Sequence, residues 1–184
     1  MSVYRNKFLV VAYGALTCLA LDQITKFWVL RHFPFERSVA VVEGTFHITH
    51  KLNPGAAFGL FRGQPLPFFL VVSVIALGFI VYFVSRVAPD RLRLTVALSM
   101  ILGGALGNIS DRLRIGAVVD FLDLRFGSRI WPTFNVADIV IVVGVLLFLW
   151  DMSRHEMQWD SRRHDQPPND DAILPPPDLR EETP

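Results

Sequence analysis

Four stretches of the chain carry almost no charge over a length that approaches a bilayer crossing, and no other feature limits the possible folds so sharply. The first is Phe8–Leu21, which can continue past Asp22 to Leu30. Phe68–Ser85 has eighteen residues without a charge and Leu94–Ser110 has seventeen. The fourth, Phe134–Trp150, is charged only at Asp138. A helix needs roughly 20 apolar residues to cross about 30 Å of hydrocarbon. The two slightly short stretches fit helices whose polar ends lie near one interface. The chain therefore reads as an all-α membrane protein with a small β element. Its four transmembrane helices are predicted at about residues 8–30, 67–86, 94–111 and 134–151.

Composition agrees. Of 184 residues, 52% are hydrophobic and 19% charged, against about 25% charged in a soluble domain. The net charge of +1, with no basic stripe interleaved with aromatics, argues against a nucleic-acid partner. The single cysteine, Cys18, rules out an internal disulfide framework and a cysteine-built zinc site; it reads as packing. Arg5, Lys7 and the run Phe8–Thr17 resemble the start of a cleaved signal peptide. A lipoprotein cleavage site before Cys18 would want leucine and a small residue where Ala15 and Thr17 stand, and three more spans follow.

Lysine and arginine in short loops set orientation. Arg5 and Lys7 precede the first span, Arg86, Arg91 and Arg93 link the second to the third, and Arg154, Arg162 and Arg163 follow the fourth. Four spans bring these three groups to one side, which predicts cytoplasmic termini. The outer segments carry Arg31, Arg37, Lys51 and Arg62, and Arg112, Arg114, Arg125 and Arg129, more dilute and balanced by acids. In the first outer segment "SVAVVEGTFHITHKL" alternates and is rich in valine, threonine and isoleucine, which predicts one or two strands. Residues 1–159 read as one membrane domain. The segment 160–184, with six prolines and many charges, cannot bury a core and reads as a disordered tail.

Acids beside a span cost roughly 2.5–3.5 kcal/mol on insertion scales, so they face a cavity or one another. Asp22, Asp111 and Asp138 lie toward the outer ends of spans, and Asp120 lies in the outer loop between apolar neighbours; all four can converge at one depth. Salt bridges, Asp22 with Lys26 and Asp111 with Arg112 or Arg114, account for two of them. Asp120 and Asp138 have no cation three or four positions away. Two such carboxylates can share one proton, one activating water and the other donating to a carbonyl oxygen. A proton or cation pathway is the competing reading, and a structural scaffold the third. His47 and His50 would point to opposite faces of a strand and lack an obvious third ligand.

The blocks "LDQITK", "NPGAAFGL", "GGALGNISDRLRIGAVVDFLD" and "FNVADIVIVVG" resemble lipoprotein signal peptidase, or signal peptidase II, in order and spacing over about Lys7–Trp150. The resemblance implies an aspartic endopeptidase of the bacterial inner membrane. It would act as a monomer, without metal or cofactor, its active site toward the outer leaflet. It would cut a prolipoprotein before a cysteine that carries diacylglycerol. Asp120 and Asp138 match the catalytic pair. Asp22, Lys26, Asn53, Gly55, Asn108, Asp111, Arg112 and Asn135 match supporting positions. Asn53 and Arg112 would hold the substrate backbone, Asn108 and Asn135 would orient the pair, and Phe58 would line the groove. The implied fold has four transmembrane helices, a β-cradle (about residues 38–62) on the outer leaflet and a short outer helix. Two departures stand out: Ile139 where the family often has serine, and Pro54 in "NPG".

Overall fold

The computed structural model describes residues 7–55, 64–88, 91–127 and 129–164. The chain divides into a unit Met1–Asp151 and a unit Met152–Pro184; the first contains the strands and the candidate site residues. Four helices, α1 (Lys7–His32), α2 (Leu66–Arg86), α3 (Leu92–Ile115) and α4 (Val136–His164), alternate with strands β1 (Ser38–Val42), β2 (Phe46–Asn53), β3 (Val118–Phe126) and β4 (Arg129–Ile130). Each helix contains a stretch long and apolar enough to cross a membrane. Within a bilayer the backbone must satisfy itself, which a helix does. Valine, leucine and phenylalanine side chains such as Leu9, Leu16, Val74, Phe79, Val142 and Leu146 point outward, exposed. The protein is a multi-pass membrane protein.

All four predicted spans are helical. The end of α4 differs from expectation: it runs to His164, inside the stretch read as a tail. Residues 165–184 and Phe58 lie outside the described residues. Among the described residues there is no separate short outer helix.

Helix α3 is the most buried of the four. Its glycines let neighbours approach closely. A Cβ on Gly103 would lie 2.5 Å from the carbonyl oxygen of Ala15 and 2.6 Å from Cys18 Cβ on α1. A Cβ on Gly107 would lie 2.4 Å from Asp22 Oδ2. Small residues thus bring backbones together where the bilayer supplies no hydrophobic drive between helices. At one end of the bundle Val11, Ile80, Val84, Val87, Leu94 and Leu98 form an apolar cluster. There Lys7 Nζ donates to the carbonyls of Ser85 (2.9 Å) and Val87 (2.6 Å), filling acceptors left open at the C-terminus of α2. Polar groups gather at the other end.

The strands form an antiparallel sheet in the order β1-β2-β3-β4. The sequence predicts a β element at about 38–62 and Asp120 in the outer loop. Strands β1 and β2 fall within 38–62, but Asp120 sits in β3, which pairs with β2. α3 stops at Gly116, whose left-handed φ of 76° suits glycine, and β3 follows at once. Phe46 pairs with Leu124, Ile48 with Leu122, and Lys51 with Asp120 across an irregularity between Ile48 and Lys51. By alternation, Asp120 shares a sheet face with Leu122 and Leu124.

Replacing Gly103 by leucine should force α1 from α3, an overpacking cost of about 1–3 kcal/mol or more. A thermal melt in detergent should show it, whereas Gly78→Leu, with nothing within 4 Å of its Cβ, should leave the melt unchanged.

Candidate active site

The N-terminus of α4 organises the site. The first amides of a helix lack intrahelical acceptors, and here side chains supply them. Asn135 precedes the helix, and its Oδ1 accepts the backbone N–H of Asp138 at 3.0 Å. Asp138 Oδ2 reciprocates by accepting the N–H of Asn135 at 3.2 Å. This is a capping box built from asparagine and aspartate. From α1, Asp22 Oδ1 accepts the N–H of Ala137 at 2.9 Å. Two carboxylates therefore lie at the positive end of the helix dipole.

The box leaves the Nδ2 group of Asn135 free to reach two other residues. It donates to Asp120 Oδ1 at 2.8 Å and to Asn108 Oδ1 at 3.2 Å. Asn108 Nδ2 in turn donates to Asp138 Oδ1 at 2.9 Å. Asp120 Oδ2 accepts from Asn53 Nδ2 at 2.9 Å, and Asn53 Oδ1 accepts the N–H of Gly55 at 2.9 Å. Each oxygen of Asp120 and of Asp138 thus receives one N–H donor. Burial, and then the charge of Asp138, push the Asp120 carboxyl up to about 7, against the amides of Asn53 and Asn135 and the charge of Lys26.

Behind this pair lies a second layer. Asp22, Lys26, Asp111 and Asn135 have no solvent exposure. Lys26 Nζ lies 2.8 Å from Asp22 Oδ2 and 2.9 Å from Asp111 Oδ2, and donates to Asn108 Oδ1 at 2.9 Å. From the sequence, Arg112 or Arg114 is the expected partner of Asp111. Its ionic partners are Lys26 and Arg114, the latter at 3.3 Å, and it also accepts the N–H of Val119 at 3.1 Å. That bond ties α3 to the start of β3, one residue before Asp120. Arg112 turns elsewhere: it donates to the carbonyls of Gly55 (3.1 Å) and Asn108 (3.4 Å) and lies over the Phe69 ring at 5.2 Å.

The four acids singled out in the sequence, with Lys26, Asn53, Gly55, Asn108, Arg112 and Asn135, are joined in one network. Gln23 was missed. Its Nε2 donates to Asp22 Oδ2 (3.1 Å), Asp111 Oδ1 (3.2 Å) and the carbonyl of Gly107 (3.2 Å). The signal was an amide in "LDQITK", inside a span. His47 and His50 lie on β2 outside this network. Ile139 is exposed, pointing away from the pair. Among the described residues no cluster of histidine, cysteine or acids is arranged to hold a metal ion.

Residues 14–154 match the family profile described as Signal peptidase (SPase) II. A lipoprotein signal peptidase of Syntrophus aciditrophicus is 43% identical over 144 residues, covering 76% of this chain and 89% of that protein. One from Moorella thermoacetica is 45% identical over 138 residues, covering 75% and 89%. The fold is also similar to a bacterial membrane enzyme structure obtained by the in meso method at 2.3 Å resolution, with a TM-score of 0.72, 34% identity, and coverage of 78% of this chain and 87% of that one. The chain belongs to the signal peptidase II family, peptidases that remove signal peptides from lipoproteins.

Proposed function

We propose that this protein is an aspartic endopeptidase that removes the signal peptide from diacylglyceryl-modified prolipoproteins, cutting before the lipidated cysteine. The observation that carries the reading is the convergence of Asp120 and Asp138 on the amide of Asn135 and the cap of α4. Two carboxyls held this way suit hydrolysis through one shared proton. The ionised carboxylate takes a proton from water as the water oxygen attacks the scissile carbonyl. The neutral carboxyl gives its proton to the carbonyl oxygen. Collapse of the diol breaks the C–N bond, and the leaving amine takes up the proton that came from water. Neither a metal nor a covalent intermediate is needed.

The supporting residues fit separate tasks in this reading. Asn108 and Asn135 orient the pair. Asn53 and Arg112, which meet at Gly55, hold the substrate backbone. The site lies at the end of the bundle opposite the basic link between α2 and α3. Under the positive-inside rule it faces the outer leaflet of the bacterial inner membrane, and both termini are cytoplasmic. The peptidase acts as a monomer. A substrate that is half lipid explains the depth of the acids, because the scissile bond arrives at the membrane surface with its acyl chains still in the bilayer. A proton pathway would favour acids spread through the membrane's depth, whereas here they gather at one level.

In detergent, with a diacylglyceryl-modified prolipoprotein, Asp120→Asn and Asp138→Asn should each lose roughly 10²–10⁴-fold in turnover, and chelator should leave the wild type unchanged. Mass spectrometry should place the cut just before the modified cysteine. Retained turnover in both variants would refute the pair, and cutting elsewhere would refute the cleavage site. The pH profile gives a second check. The shared proton is held up to about 7, so kcat/KM should fall as pH rises through that value.

A further inference from the structure

Lys26 is a fully buried ammonium with three N–H donors, and all three are used. They go to Asp22 Oδ2, Asp111 Oδ2 and Asn108 Oδ1, at 2.8, 2.9 and 2.9 Å. Asn108 Oδ1 also accepts from Asn135 Nδ2 at 3.2 Å. Turning the Asn108 amide over would set its NH2 group against an ammonium and a second amide donor. The amide therefore stays as it is, with Nδ2 aimed at Asp138 Oδ1.

The two catalytic candidates are not held alike. Asp138 lies in the first turn of α4, where the helix dipole favours a negative charge, and it accepts from an amide polarised by an ammonium. Asp120 lies on a strand and accepts only from the neutral amides of Asn53 and Asn135. Other charges face the pair from several sides. Asp22 and Lys26 come from α1, and Asp111 and Arg112 from α3. Lys51 stands opposite Asp120 on β2 and is exposed. Arg112 is engaged with backbone carbonyls, which leaves Lys26 as the cation linked to Asp138 through one intervening amide.

We infer that Lys26 is a positioning residue that, through Asn108, holds Asp138 as the ionised member of the pair and leaves the shared proton on Asp120. This rests on the aspartic-pair reading above and gives its two members separate roles. Asp138 takes the proton of water, and Asp120 donates to the carbonyl oxygen. As the C–N bond breaks, the amine leaves with the proton held by Asp138, and Asp120 recovers its own from the diol. Asp22 and Asp111 balance the lysine within the buried layer.

The test is the pH dependence of kcat and KM for wild type, Lys26→Met/Asp111→Asn and Asn108→Ala. Detergent-solubilised protein is assayed on diacylglyceryl prolipoprotein, with a thermal melt as the check on folding. The double variant removes one charge of each sign and keeps an oxygen at 111 for the N–H of Val119. If Lys26 supports the ionised carboxylate, the acid limb of kcat/KM should move up by about one pH unit in both variants, with KM changing less than about twofold. A folded variant whose acid limb stays at the wild-type position would overturn the inference, since a merely structural lysine would change melting and not the limb. If the double variant fails to fold, Asn108→Ala alone decides, in the same two ways. Failure of the aspartic pair itself reads out separately, as turnover by Asp120→Asn or Asp138→Asn.

Discussion

The arrangement depends on the open N-terminus of one helix. Helix α4 begins at the polar end of the bundle, where its first amides would otherwise have to meet lipid or one another. Asn135, Asp138 and Asp22 supply the acceptors. Capping alone is worth about 1 kcal/mol, a small term. Its larger effect is positional. By using Asn135 Oδ1 on the backbone, the cap turns the side-chain amide nitrogen of Asn135 toward Asp120 and Asn108, and that joins strand β3 to helices α3 and α4.

Placing four acids and a lysine in the dry end of a bundle is costly. A buried ion pair gains little net stability over an apolar core, and losing one member costs about 3–5 kcal/mol. What makes the arrangement tolerable is completeness. Each N–H of Lys26 has an acceptor, and Asp111 serves both the lysine and the backbone of Val119. Gly107 makes room for Asp22, where a Cβ would collide with the carboxylate. The glycines of "GGALGN" thus do two things: they let the helices pack, and they let charge sit between them.

Much of this was legible in the sequence. The four spans follow from uncharged length, and Asp120 and Asp138 stood out because no nearby residue in the chain could pair with them. The resemblance supplied the asparagines. What was not legible has physical reasons. "VVDFLDLRF" alternates, yet it pairs with a strand some seventy residues earlier, and only the fold creates that partner. The preference of Asp111 for Lys26 over Arg112 depends on α1 crossing α3 at Gly103 and Gly107, where the buried lysine is nearer than the neighbouring arginine. Gln23 went unnoticed because an amide beside a charged residue carries no periodic signal, while its three acceptors come from two helices.

In the proposed mechanism the reacting carbon sits between Asp120 and Asp138. The most direct test is a structure of the protein with a non-hydrolysable prolipoprotein peptide carrying a hydroxyl in place of the scissile carbonyl. This hydroxyl should lie within hydrogen-bond reach of both carboxyls, with the peptide backbone near Asn53 and Arg112. A hydroxyl bound instead by a serine, by Lys51 or by neither aspartate would contradict the mechanism.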